Sequence, residues 1–193
     1  MELMEAINRR RAYRSLDPVD ISDETIQELG HAAILAATCF NNQPARYIFV
    51  TDRAVLEEMR TVMTRSNVWT QNASMIIAVL SNVDYDCRIK GRDYYFFGTG
   101  METAQLILRA TDLGLVAHPI GGYDEEKVKT ILGIPAELTV VTLVIVGKKS
   151  DTISPLLNEG QVEREKTRPE RLAPERFMAR NHFETALLKE PKA

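Results

Sequence analysis

The chain has 193 residues, 45% of them hydrophobic and 26% charged, with a formal net charge of −3. That length favours a single domain able to bury a sizeable core without a disulfide or metal staple, and the acidic balance argues against a dedicated nucleic-acid binder. Two cysteines, Cys39 and Cys87, are too few for a disulfide framework or a thiolate-only zinc site, and the three histidines lie far apart in sequence. The apolar runs Ala32–Ala37 and Met75–Leu80 span six residues each, against about 20 for a membrane helix. MELMEAINRRR has no apolar signal core, so a cytoplasmic location is expected.

In chain order, Leu3–Arg9 predicts a short helix with Leu3, Met4 and Ile7 on one face. Asp17-Pro18 breaks the chain. Ser22 is an N-cap, followed by acidic Asp23 and Glu24 and a helix to about Thr38 with Ile26, Leu29, Ala33 and Ala37 inward. Tyr47–Thr51 reads as a strand, and Asp52 caps a helix carrying Val55, Met59, Val62 and Met63. Ser74–Leu80 is a buried strand and Asp84–Arg92 a polar loop. A long helix from Tyr94 to Leu113 is expected to turn Phe97, Met101, Ala104 and Leu108 inward, in step with Leu115, with Gly114 as its cap. Leu115–Ile120 is extended, Asp124–Leu132 helical, and Leu138–Val146 the strongest strand. Residues 151–193 hold eight acids and eight bases; such a tail is either disordered or laid across another surface. The uneven alternation of strands and helices points to an α+β domain with a central sheet flanked by helices.

Four constellations could carry chemistry. Arg9-Arg10-Arg11-Ala12-Tyr13-Arg14 is dense in guanidinium groups, which suit bidentate phosphate binding; a solvated basic face is the plainer alternative. Asn41-Asn42-Gln43-Pro44 offers amides that can bond a polar heterocycle, or serves only as a turn. Ile120-Gly121-Gly122, before Asp124, would let a backbone approach a ligand closely, or is a strand-to-helix turn. Lys166 and Arg168 would share one side if their segment is extended; a salt-laced tail is the alternative.

Taken together and in order, these segments resemble the nitroreductase family of FMN-dependent oxidoreductases. INRRRAYRSLDPVDIS stands where the family has an RRSxRxF-type pattern, and CFNNQPARYIFVTD where it has SxxNxQPW followed by a strand. ILRATDLGL and then HPIGGYDEEKVKTILGIP stand where it has LGLGSxWIGxF, a helix and LGIP. The resemblance runs from about Met4 to Arg168. It implies a three-layer α+β fold over residues 1–193 as a single domain, with a central mixed or antiparallel sheet. Residues 151–193 would form a C-terminal extension exchanged with a homodimer partner.

The resemblance also implies that Arg10, Arg11 and Arg14 hold the FMN phosphate and ribityl chain, together with Lys166 and Arg168. Ala12 stands where a serine is usual. Thr38, Cys39 and Asn41 would reach the flavin of the partner subunit, and Ile120, Gly121 and Gly122 would face the flavin pyrimidine edge. One or two of Tyr94–Phe97 would stack on substrate, with core packing the alternative for Phe96 and Phe97. Cys39 reads otherwise as a small buried thiol. The implied reaction is ping-pong transfer from NADH or NADPH through FMN to a small electron acceptor such as a nitroaromatic or quinone. Neither a catalytic side chain nor a metal, membrane or nucleic-acid partner is called for. Ala45, His118 and Pro119 depart from the family pattern, and an FMN carrier or sensor with little turnover is the competing expectation.

Overall fold

The structure, a computed structural model, describes residues 1–188. Among the described residues six α-helices are present: α1 (Leu3–Arg9), α2 (Asp23–Ile34), α3 (Arg53–Arg60), α4 (Tyr95–Asp112), α5 (Glu125–Leu132) and α6 (Glu159–Lys166). The strands are β1 (Leu16–Asp17), β2 (Arg46–Val50), β3 (Met75–Ser81), β4 (Arg88–Ile89), β5 (Arg92–Asp93), β6 (Leu115–Ile120) and β7 (Thr139–Lys149). Strand β7 is the spine of an antiparallel sheet. It pairs with β3 from Thr139 to Val146, with β6 from Leu143 to Lys148, and with β1 at Lys148 and Lys149. Strand β2 pairs with the far edge of β3. Strands β4 and β5 form a separate hairpin inside the segment expected to be loop.

The two-residue period of a strand sorts the sheet into two cores. Ile76, Ala78, Leu80, Leu143 and Ile145 face one side, with Met59 of α3, Val128 of α5 and the fully buried Trp69. Met75, Ile77, Val79, Val144 and Val146 face the other, with Leu29 and Ala33 of α2 and Leu106 and Ala110 of α4. Helices therefore cover both faces in three layers. Double coverage explains why β3 reads as an unbroken apolar run rather than an alternating one.

Local signals place the helix ends. Ser22 Oγ accepts from Thr25 N, Asp52 Oδ1 from Val55 N, and Asp124 Oδ1 from Lys127 N, so each caps its helix as expected. Gly133 closes α5 in the left-handed conformation (φ 65°), which only glycine enters without strain.

Three expectations need correction. Helix α2 ends at Ile34, and Ala37 is exposed. Strand β7 runs on to Lys149, because β1 and β6 supply pairing partners for residues 147–149. The buried side of α4 is Gly98, Thr99, Glu102, Thr103, Leu106 and Ala110, while Phe97, Met101 and Ala104 lie outward. The face of α1 that carries Leu3, Met4 and Ile7 is exposed, and only Ala6 of that helix is buried.

Beyond β7 the chain is more structured than its composition suggests. Asn158 and Gln161 form a reciprocal capping box that starts α6. Gln161 also donates to Ser66 O at 2.8 Å, which docks α6 on the body. From 167 to 188 the chain has only short turns, and Leu172, Phe177, Met178 and Phe183 are all exposed.

Candidate functional site

The arginine segment after α1 has no regular structure, yet it is pinned from several sides. Glu165 of α6 accepts Arg14 N–H (2.7 Å) and Ser15 N–H (3.2 Å) on its two carboxylate oxygens. The Arg11 guanidinium donates to the carbonyls of Arg164 (2.7 Å) and Glu165 (3.2 Å) and to the Tyr13 hydroxyl (3.3 Å). Arg168 donates to the carbonyls of Asn8 and Arg10. His118 Nδ1 bonds Tyr13 O at 3.0 Å, and the buried Ser15 accepts Ser150 N and Ser154 N.

This bracing creates a cavity of about 190 Å³ lined by Arg10, Arg11, Ala12, Arg14, Arg164, Arg168, Pro169 and Arg171. Six guanidinium groups in so small a space repel one another. Burial, then the charges of Arg168 and Arg171, lower the pKa of Arg10. Burial also lowers that of Arg14, with Glu165 opposing. The chemistry that fits such a cradle is a compact dianion accepting charge-assisted, bidentate bonds. A second cavity, about 350 Å³, lies beside it, lined by Asn8–Arg11, Tyr13, Thr111, Gly114–Val116, Lys149 and Arg168.

His118 sits below the segment. Its ring stacks on Trp69 at 4.8 Å, and the Arg14 guanidinium lies 5.9 Å over the other ring. Burial pushes the His118 pKa down to about 4, the bond to Tyr13 O opposing. The imidazole is therefore neutral at physiological pH, and its Nδ1 carries the proton that bonds the carbonyl.

The sequence-predicted residues are thus partly gathered. Arg10, Arg11, Ala12, Arg14 and Arg168 line one cavity. Lys166 does not: it is exposed in the last turn of α6, and the extended run pairing it with Arg168 starts only at Thr167. Gly122 is required by close approach, but to protein. A Cβ there would lie 2.7 Å from Asn67 Nδ2 and from Thr64 Oγ1, both of which donate to Gly122 O. Nothing stands within 4 Å of a Cβ built on Gly121, so that backbone is open, and Ile120 is buried at the end of β6.

Thr38, Cys39 and Asn41 stand apart on the turn after α2, lining neither cavity. Phe40, Asn41 and Gln43 all take positive φ (48°, 59° and 49°). The Thr38 hydroxyl braces the turn by accepting Gln43 N. Phe40 is 87% exposed, and Phe96 and Phe97 are also exposed, so the core-packing alternative for the last two does not hold. Ala45 is buried, and its N–H donates to Glu102, a carboxylate buried in α4 whose pKa burial raises. Sequence reasoning missed Glu165, Arg171 and Arg164. Their only signal was their place in the same charged run as Lys166 and Arg168.

The three-layer α+β fold defines a class of protein, and the comparisons agree with it. The nitroreductase family model matches residues 7–148, and the chain belongs to that family. It is an oxidoreductase of that class. A protein of Archaeoglobus fulgidus, provisionally named NADH dehydrogenase/NAD(P)H nitroreductase, is 31% identical over 159 residues, covering 78% of this chain and 87% of its own. Protein DrgA of Synechocystis is 26% identical, covering 78% and 86%. Among solved structures, a nitroreductase family protein of Clostridium difficile superposes with a TM-score of 0.76 at 18% identity, over 95% of this chain and all of its own. A provisionally named nitroreductase of Exiguobacterium sibiricum in complex with FMN gives 0.72 at 21%, over 80% and 91%.

Proposed function

We propose that the protein is an FMN-dependent oxidoreductase that takes reducing equivalents from NADH or NADPH and passes them to a small acceptor, a nitroaromatic, quinone or similar molecule. The observation that carries this reading is the six-arginine cradle with its desolvated Arg10. FMN ends in a phosphate dianion, and the donor set matches it. In this reading Arg10, Arg14, Arg168 and Arg171 bind the phosphate. Arg11, already bonded to two α6 carbonyls, ties the segment to α6, and Ala12 adds cavity wall without a hydroxyl. The open backbone at Gly121 meets the polar edge of the flavin.

Bound FMN supplies the hydride chemistry; the chain positions it and sets its electrostatics. No side chain acts as acid, base or nucleophile. The 190 Å³ cavity suits a phosphoryl end, whereas whole ligand pockets measure roughly 300–1,000 Å³. In this reading the adjoining 350 Å³ cavity, which shares Arg10, Arg11 and Arg168, adds to the site, and a second subunit supplies the rest. The exposed apolar side chains of α1, of Phe40, of the start of α4 and of the 167–188 tail support a homodimer in which the tail crosses to the partner. In that dimer Asn41 reaches the partner's flavin, and Thr38 and Cys39 belong to the turn that carries it. Among the described residues no helix is long and apolar enough to cross a membrane. Free Cys39 and Cys87 are consistent with the cytoplasm.

The test is an absorption spectrum of the purified protein followed by anaerobic titration with each pyridine nucleotide. Bound flavin that bleaches rapidly supports the proposal. Flavin that binds but does not bleach makes the protein a carrier, and protein that takes up no FMN refutes the reading.

A further inference from the structure

The turn after α2 and the loop before β4 are distant in sequence, yet they bring together the only two thiols of the chain and a carboxylate. Cys39, Asp86 and Cys87 each offer a ligand atom, and these atoms all lie within 4.8 Å of one another. We propose that Cys39, Cys87 and Asp86 form a binding site for a thiophilic divalent cation of the zinc type.

Two thiolates and a carboxylate are a donor set that zinc accepts, and three protein ligands leave a fourth position for water. Tetrahedral zinc with bonds of about 2.3 Å to sulfur spaces its ligands by roughly 3.8 Å, so side-chain movements on the order of 1 Å close the site. The surroundings are already arranged to hold these ligands. Asn42 Nδ2 donates both to Asp86 Oδ1 (3.2 Å) and to Cys87 Sγ (3.3 Å), and Cys87 N–H donates to Asp86 Oδ1 (2.7 Å). Outer hydrogen bonds of this kind orient metal ligands.

The independent observation is Asp86 Oδ2. It is buried with no hydrogen-bond partner, and it lies so close to α4 that a Cβ on Gly98 would stand 2.9 Å away. A buried carboxylate oxygen without a donor is costly, and a neighbouring cation offsets that cost. Binding releases the thiol protons to solvent and oxidises nothing. The charged run of the sequence gives no hint of the site, because its ligands come from segments about 47 residues apart.

The experiment uses untagged, reduced, FMN-loaded protein under anaerobic conditions, with cobalt(II) as the spectroscopic probe and zinc as competitor. The expected result is one equivalent per chain. Ligand-field bands of four-coordinate cobalt should appear at the red end of the visible range, clear of flavin absorption, and zinc should abolish them. Because the chain holds only two cysteines, thiolate–cobalt bands report on this pair alone. Zinc should also protect both from alkylation, as read by mass spectrometry. Cys87→Ser should lose the bands, and Asp86→Asn should weaken binding at least tenfold; far-ultraviolet circular dichroism checks that both variants fold. If a variant fails to fold, the alkylation map of the unsubstituted protein decides. Absence of bands and of protection overturns the proposal. So does a Cys39–Cys87 disulfide that forms in air and is unaffected by zinc, which would make the pair a redox couple. None of these outcomes depends on turnover, and protein that takes up no FMN is titrated as purified, so failure here is separate from failure of the flavin reading.

Discussion

Removing Arg168 tests the anion cradle most directly, because this residue has two roles there. Its guanidinium adds positive charge to the cavity, and it holds the carbonyls of Asn8 and Arg10, which fixes the start of the arginine segment. A charge-assisted bond to phosphate contributes about 1.5–3 kcal/mol. At about 1.4 kcal/mol per decade, Arg168→Ala should weaken FMN binding roughly ten- to hundredfold. Arg168→Lys keeps the charge but not the planar fork, and should fall between. The apoprotein should respond in the opposite sense. Arg168 is among the charges that lower the Arg10 pKa, so its loss relieves repulsion, and only the broken carbonyl bonds count against stability. The gap in Tm between apo and FMN-loaded protein should therefore shrink. The assays are fluorescence-quench titration of apoprotein with FMN and melting with and without it. Arg53→Ala is the control, since that side chain is 93% exposed and lies outside the cavity. An unchanged FMN Kd and an unchanged Tm gap in Arg168→Ala would place the phosphate elsewhere and remove the basis of the functional reading.

Other consequences are open to measurement. His118 is held near a pKa of about 4 against an ordinary 6.5, so the unfolded chain binds its proton first. Stability is then full above pH 6.5 and declines as pH falls toward 4, by roughly 3 kcal/mol at about 1.36 kcal/mol per unit. Urea unfolding across that range should show the loss in the parent and a flatter profile in His118→Gln. Gly98→Ala places a methyl 2.7 Å from Pro44 Cγ and 2.9 Å from Asp86 Oδ2, and should destabilise by about 1–3 kcal/mol. Gly30→Ala, in α2 with nothing within 4 Å, should stabilise by up to about 1 kcal/mol; the reverse order of melting temperatures would contradict the packing described. Glu165→Ala strands the Arg14 and Ser15 N–H groups and should cost about 1–3 kcal/mol of apoprotein stability. Glu165→Gln keeps an acceptor and should lose less in the same melt.

What could be read from the sequence follows from where information is local. Strand β6 falls on its expected residues, and the Ser22, Asp52 and Asp124 caps form as expected, because a cap or a β-branched run is decided within a few residues. The facing of α4 was not legible. Its apolar stripe through Phe97 and Met101 points outward, while small and polar residues, Gly98, Thr99 and Glu102 among them, meet the body. Periodicity reports an apolar face but not which surface it meets. The arginine cluster was visible as composition, whereas Arg171 and Glu165 joined it only through the packing of α6. Asp86 and the two cysteines met through loops whose course no period encodes.

The arginine segment shows why so much of the fold converges on six residues. Guanidinium groups gathered in one cavity would splay apart if the backbone were free, and a flexible loop would have to be ordered anew at each binding event. Here four backbone groups from Tyr13 to Ser15 are held by three different parts of the chain. His118 of β6 takes the Tyr13 carbonyl, Glu165 of α6 takes the Arg14 and Ser15 amides, and the chain after β7 takes the Ser15 carbonyl and hydroxyl. The neutral state of His118 belongs to the same logic. A protonated ring would add one more cation beneath Arg10 and Arg14, whose charges already help to lower its pKa. Burial keeps it uncharged, so among the described residues the charged groups lining the cavity are all guanidinium groups. On the proposed reading, a dianion entering the cavity would relieve repulsion among these fixed guanidinium groups, and the rigidity of the fold would make that relief available as binding.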